Sequence, residues 1–194
     1  MMRLFRSLKE NTHAATFVEF ALISPVLLIA IMGAMDAAFN AYTSVVLRGA
    51  VADAARDGTI ESANDSSLNA SVQTAVRRVV PTATFTFARK TYQSFSSVGT
   101  PEDYQDLNSD GACNNGEPFE DANRNGIWDA DRGGSGTGGA RDVVQYKVTM
   151  RYNRLFPAPG LIGLPTQFSA TATTLLRNQP YRDDRTPPAT ANCT

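Results

Sequence analysis

HAATFVEFALISPVLLIA, residues 13 to 30, and AFNAYTSVVLRGAVADAARDG, residues 38 to 58, decide the fold. From Phe17 to Ala41 almost every residue is apolar or small. As a helix this segment measures about 37 Å at ~1.5 Å per residue, enough to cross roughly 30 Å of hydrocarbon with some tilt. The uninterrupted apolar part, Phe20 to Met35, overlaps the length of a secretory signal core. However, Met32, Met35 and Phe39 stand where a signal peptidase needs a small residue before Ala34, Ala37 and Ala41. A retained membrane anchor is therefore the expectation. Arg3, Arg6 and Lys9 precede the span, which places the N-terminus in the cytoplasm and the rest of the chain outside it. Beyond the span, Ala41, Val45, Val46, Gly49, Ala52 and Ala55 recur at helical spacing until Asp57-Gly58 supplies a stop. One long helix is expected, half in lipid and half packed on a domain. Asp36 reads as the exit from the membrane.

Downstream, NDSSLNASVQTAVRRVV (64–80) sets Leu68, Val72, Ala75, Val76 and Val79 on one face of a second helix, with Asp65 or Ser66 as cap and Pro81 as stop. TATFTFARKTY (82–92) alternates Thr and Phe, and RDVVQYKVTMRY (141–152) puts Val144, Tyr146, Val148, Met150 and Tyr152 on one face. Together with residues 167–177 these predict three strands. Helices first and strands later predict an α+β domain, with helices on one face of a small three-stranded antiparallel sheet. NRLFPAPGLIGLPTQ (153–167) is an apolar loop between the last two strands. GGSGTGG (133–139) reads as a flexible linker, with no following Lys to make it a phosphate loop. The residues after Pro180 read as a mobile tail unless Cys193 anchors them.

Between Glu102 and Asp131 stand nine carboxylates against the single Arg124. DLNSDGACNNGE (106–117) fits the calcium-loop pattern D-x-[DN]-x-[DN]-G-x5-E without a gap. Asp106, Asn108 and Asp110 hold positions 1, 3 and 5, Gly111 the sharp turn, Ala112 a backbone carbonyl, Asn114 position 9 and Glu117 position 12. This oxygen set suits a hard cation, and calcium is the expected cofactor. DANRNGIWDADR (121–132) repeats the pattern with Asp121, Asn123, Asn125, Gly126, the Ile127 carbonyl and Asp129. Its position 12 is Arg132, so Asp131 is the expected substitute and the second site the weaker one. No amphipathic helices flank the loops, which argues against a sensor that opens a groove. Cys113 and Cys193, too far apart for a zinc cluster, either form one disulfide or remain two inert thiols.

VEFALISPVLL (18–28) closely resembles the N-terminal signature of TadE-like pseudopilins of the tight-adherence (Tad/Flp) pilus system, and FSATATTLLRNQPY (168–181) resembles the family's closing strand. That resemblance implies removal of the leader by a prepilin peptidase between Ala14 and Ala15. Glu19, with Phe20 beside it, then becomes the fifth mature residue and sets the register of assembly. Implied partners are the membrane, other pilins or pseudopilins, the prepilin peptidase and the inner-membrane pilus assembly platform. The implied place is the bacterial cytoplasmic membrane, crossed once. The expected organisation is a leader (1–14), a span (15–41), helix and first strand (42–92), an acidic insertion (93–140), the remaining strands (141–181) and a tail (182–194).

The charge balance, 18 basic against 19 acidic residues in 194, leaves no electrostatic footprint for nucleic acid. The only His, His13, lies in the leader, so no Ser-His-Asp or Cys-His set exists for catalysis. The expectation is a non-enzymatic minor pseudopilin that binds calcium. The competing one is a membrane-anchored, calcium-dependent adhesion or sensing module unrelated to pili.

Overall fold

The computed structural model describes residues 12–58, 65–136, 138–139, 141–156, 160, 163, 165–178 and 187–194. The basic leader before Thr12, most of the apolar loop and residues 179–186 lie outside the described residues.

Helix α1 runs unbroken from Thr12 to Asp57, with Pro25 inside it. From Thr16 to Met35 no residue is buried, and large apolar side chains such as Phe17, Leu22 and Val26 stand 70% or more exposed. Water would penalise such a rod, whereas hydrocarbon satisfies it, because a helix completes its own backbone hydrogen bonds. The segment is long and apolar enough to cross a membrane. The folded domain begins at Asp36, the first residue of α1 that it buries.

Beyond that point the helix buries Asp36, Asn40, Thr43, Leu47, Val51, Ala54 and Ala55, one stripe at spacings of three and four. The apolar and small residues that recur at helical spacing in the sequence are mostly not on this stripe. Ala41, Val45, Gly49 and Ala52 are exposed and Val46 is half-buried, leaving Ala55 alone of that set buried. The helix is apolar on several sides, so periodicity could not choose between them. The sheet chose the side carrying Asp36, Asn40 and Thr43, which answers polar groups at the sheet's end.

Helix α2, Asp65–Arg77, packs on α1 and buries Val72 and Val76. Gly58, where α1 stops, sits so close to Leu68 that a side chain there would meet Cδ1 at 3.1 Å. Strands β1 (Thr84–Tyr92), β4 (Val143–Asn153) and β5 (Gln167–Arg177) fall where the alternating patterns place them. All pairs are antiparallel, with Phe87 opposite Val148 and Val148 opposite Ala172. Their inner face contributes Tyr146, Val148, Met150, Tyr152 and Ala172 to a core shared with Leu47, Val51, Val72 and Val76.

The class is α+β, with more strands than the three expected. Strand β3, Gly134–Ser135, extends the sheet to the order β3-β1-β4-β5. Gly133 lies under the Tyr92 ring, where a Cβ would come within 2.8 Å of it. The glycine stretch is thus partly pinned, because only a residue without a side chain lets the backbone lie against that ring. A second sheet joins β2, Pro118–Asp121, to β6, Ala189–Asn192. Residues 187–194 therefore return to the acidic insertion, and a disulfide joins Cys113 to Cys193 with Cα atoms 5.4 Å apart. The mobile tail expected from composition does not extend to these residues, because strand pairing and the crosslink hold them.

Candidate functional site

Two polar assemblies stand out, one at the membrane end of the domain and one at the acidic insertion. At the membrane end, Arg154 follows directly on β4 and its guanidinium pairs with the Asp36 carboxylate. Asn40 Nδ2 donates to Asp36 Oδ2 at 2.8 Å, Tyr152 Oη donates to Asn40 Oδ1 at 2.7 Å, and the Thr43 and Tyr152 hydroxyls lie 2.9 Å apart. Arg154 also spans the base of the apolar loop, its Nε donating to the Pro165 carbonyl at 3.1 Å and its backbone N–H to that of Thr166 at 2.9 Å. Asp36 is 3% exposed and its Oδ1 has no hydrogen-bond partner among the described residues. A buried carboxylate is tolerable here because a cation and an amide meet its other oxygen.

Glu19, placed by the resemblance at the centre of processing and assembly, projects from the exposed part of α1, as does Phe20. Ala14 and Ala15 lie in the first turns of the same helix.

The acidic insertion is built as two copies of one loop. In the first, residues 106–117, Asp106 accepts the N–H groups of Asp110 at 3.2 Å and Gly111 at 2.9 Å, Asn108 Oδ1 accepts that of Asp110, and Asp110 Oδ1 accepts that of Ala112. In the second, Asp121 accepts those of Asn125 at 3.1 Å and Gly126 at 2.8 Å, Asn123 Oδ1 that of Asn125, and Asn125 Oδ1 that of Ile127. Positive φ falls at the fourth and sixth positions of both, at Ser109 (62°) and Gly111 (78°), and at Arg124 (58°) and Gly126 (77°). Glycine at the sixth position meets that requirement without steric cost. The short Asx side chains at positions 1, 3 and 5 fold the backbone around themselves.

Glu117 is 2% exposed, with Oε1 accepting the Leu107 N–H at 2.8 Å and Oε2 that of Asn114 at 3.2 Å. Asp110 Oδ2 receives the side-chain amides of Asn114 and Asn108, and Asp129 Oδ2 receives those of Asn123 and Asn125, each within 2.9 Å. The Asn114 amide, the Ala112 N–H and the Asn108 amide hold the Asp110 carboxyl below the usual carboxylate range. Among the described residues no three His, Cys, Asp or Glu side chains form a metal-holding cluster. An ion in either loop would therefore need the asparagines, whose amides present oxygen instead of nitrogen after a near-isosteric flip.

Asp131, the substitute expected for position 12, is engaged outside the second loop in this structure. Its oxygens are taken by Lys90 Nζ at 2.5 Å, the Tyr92 hydroxyl at 3.0 Å and the Gly133 N–H at 3.2 Å. Burial alone would raise its pKa, but those three bonds outweigh it and hold the carboxyl low. Arg132, at position 12, turns to Asp103 at 3.0 Å and Glu120 at 3.7 Å. Another residue, absent from the loop pattern, approaches instead. Glu102 Oε1 accepts the Ala122 N–H at 2.8 Å and Oε2 that of Asp129 at 3.0 Å. Sequence reading missed it because it precedes both loops, and neither pattern has a place for it.

Tyr92 links the insertion to β1. Burial first, then the hydrogen bond and charge of Asp131, push its phenol from 10.0 up to about 12. The raised value favours the protonated phenol in the folded state, so its contribution is complete below about pH 10 and is lost as pH rises toward 12. In an alkaline absorbance titration Tyr92 should therefore ionise late, as should Tyr104 and Tyr152, whose phenols burial also raises, and Asp131→Asn should bring Tyr92 earlier. An unchanged titration in that variant would rule out the Tyr92–Asp131 contact.

Residues 14–56 match the family model described as TadE-like protein, a span lying wholly within α1. This agrees with the resemblance read from residues 18–28 and relates the N-terminal segment to proteins of the Tad pilus. No curated protein and no solved structure matches the chain.

Proposed function

We propose that this chain is a non-enzymatic minor pseudopilin that takes part in assembling or priming a tight-adherence pilus. In this reading α1 anchors it in the cytoplasmic membrane and the folded domain lies outside. The observation that carries the proposal is the division of α1: an apolar rod without a buried residue up to Met35, then a helix face built into the domain from Asp36. Such a helix delivers the domain to the membrane surface without a flexible linker, so neighbouring copies could stack by their rods. The TadE-like match over the same helix supports the same reading.

Glu19 projects from the rod close to its start. After cleavage between Ala14 and Ala15, the new α-amino group would lie about one helical turn from Glu19, and a neighbour's amine could neutralise that carboxylate inside the apolar layer. Mass spectrometry of the protein from native membranes should find Ala15 as the mature N-terminus. Glu19→Gln should retain the anchor but reduce pilus formation. An intact Met1, a start beyond Ala41, or normal piliation with Gln at 19 would count against the proposal.

The two acidic loops are proposed as calcium sites. The first would use Asp106, Asn108, Asp110, the Ala112 carbonyl, Asn114 and Glu117, and the second Asp121, Asn123, Asn125, the Ile127 carbonyl and Asp129. An all-oxygen donor set with Asx side chains at alternate positions fits a hard cation. Bound calcium would neutralise part of a segment rich in carboxylates and stiffen it. The competing adhesion module keeps the loops but has no pilus role; a deletion strain that retains pili while losing calcium-dependent attachment would select it.

A further inference from the structure

We propose that Glu102 is the missing carboxylate of the second loop, standing where Glu117 stands in the first, so that the insertion holds two calcium sites of equal charge. The proposal rests on the calcium reading above. Counted from the first Asp of each loop, Glu117 accepts N–H groups from positions 2 and 9, Leu107 and Asn114. Glu102 accepts N–H groups from positions 2 and 9 of the second loop, Ala122 and Asp129. One glutamate closes its loop from the C-terminal end and the other from an irregular segment that passes alongside. The Glu102 backbone is fixed there, since its N–H donates to the Asp129 carbonyl at 3.0 Å and its own carbonyl accepts from Trp128 Nε1 at 2.8 Å.

Burial supplies an independent argument. Four carboxylates among the described residues are buried: Asp36, Glu102, Glu117 and Asp121. Asp36 has Arg154 as its counter-charge. The other three have no Lys or Arg within ion-pair distance among the described residues, and all three border the two loops. Glu102 is the least exposed of them, at 1%. Amide donors alone leave much of the desolvation of an ionised carboxylate uncompensated, and buried charges are ordinarily paired or bound to metal. The residue at position 12, Arg132, carries the wrong charge and faces Asp103 and Glu120.

With Glu102 included, the second loop has three carboxylates, Asp121, Asp129 and Glu102, matching Asp106, Asp110 and Glu117 in the first. Ligand charge is one of the quantities that sets calcium affinity, so the second site need not be the weaker.

Trp128, the single Trp of the chain, lies in the second loop, so terbium bound there should be sensitised through it. The full-length protein in detergent is titrated with calcium by calorimetry and with terbium by luminescence excited through Trp128. Wild type should take up two calcium equivalents. Glu102→Gln should take up one and lower the terbium affinity read by Trp128 tenfold or more. Glu117→Gln should also take up one but keep that terbium signal, and Asp131→Asn should keep both sites. Two equivalents in Glu102→Gln, or loss of the second site in Asp131→Asn, would overturn the assignment. Loss of both sites in Glu102→Gln would reduce Glu102 to a scaffold and also overturn it. A wild-type protein that binds neither ion would remove the calcium reading itself, a result distinguishable from the others because no variant is then needed.

Discussion

Arg154→Met is expected to destabilise the folded domain by about 3–5 kcal/mol, the cost of leaving a buried carboxylate without its cation. Asp36 is 3% exposed and already has one oxygen without a partner, so the Arg154 guanidinium is the only counter-charge it has among the described residues. Removal would also release Phe168, whose ring lies 5.6 Å from the guanidinium carbon, and the Pro165 carbonyl at the base of the apolar loop. The double variant Asp36→Asn with Arg154→Met should recover most of the loss, because a neutral amide can keep its bond to Asn40 without a buried charge. Urea unfolding of the full-length protein in detergent, followed by circular dichroism, measures both. A single variant within about 1 kcal/mol of wild type would show that the pair contributes no more than a surface salt bridge.

Cys113→Ser combined with Cys193→Ser should cost about 4–5 kcal/mol on the chain-entropy account, because the crosslink closes a loop between residues 80 apart in sequence. Most of the damage should fall on the insertion. Cys193 donates its N–H to the Glu117 carbonyl at 2.8 Å and accepts that of Gly116 at 3.0 Å, and β6 is held to β2 beside it. Limited proteolysis should then cut near residues 187–194 while leaving β1, β4 and β5 protected. Identical stability of reduced and oxidised protein would mean that the β2–β6 pairing alone holds the chain end. A stabilising disulfide also needs an oxidising compartment, consistent with a domain outside the cytoplasm.

The Thr/Phe alternation of β1 and the inward row Val144 to Tyr152 of β4 were legible because a period of two encodes a half-buried strand locally. Val72 and Val76 of α2 were legible for the corresponding helical reason. The buried face of α1 was not, since Val45 and Gly49 look as suited to a core as Leu47 and Val51. Only contact with the polar end of β4, at Tyr152 and Arg154, distinguishes them.

The acidic loops divide along the same line. The positions of Asp106, Asn108, Asp110 and Gly111, and their repeat at Asp121, Asn123, Asn125 and Gly126, follow from sequence alone, because an Asx turn is made between residues two to five apart. Glu102 meets Ala122 and Asp129 across 20 residues or more, Arg154 meets Asp36 across 118, and Cys193 meets Cys113 across 80. Local periodicity determined the rod, the second helix, the long strands and the loop turns. Which charges were buried together, and therefore which residues complete each site, was decided only when folding brought distant segments close, since desolvation and pairing of a carboxylate depend on neighbours that no short window of sequence contains.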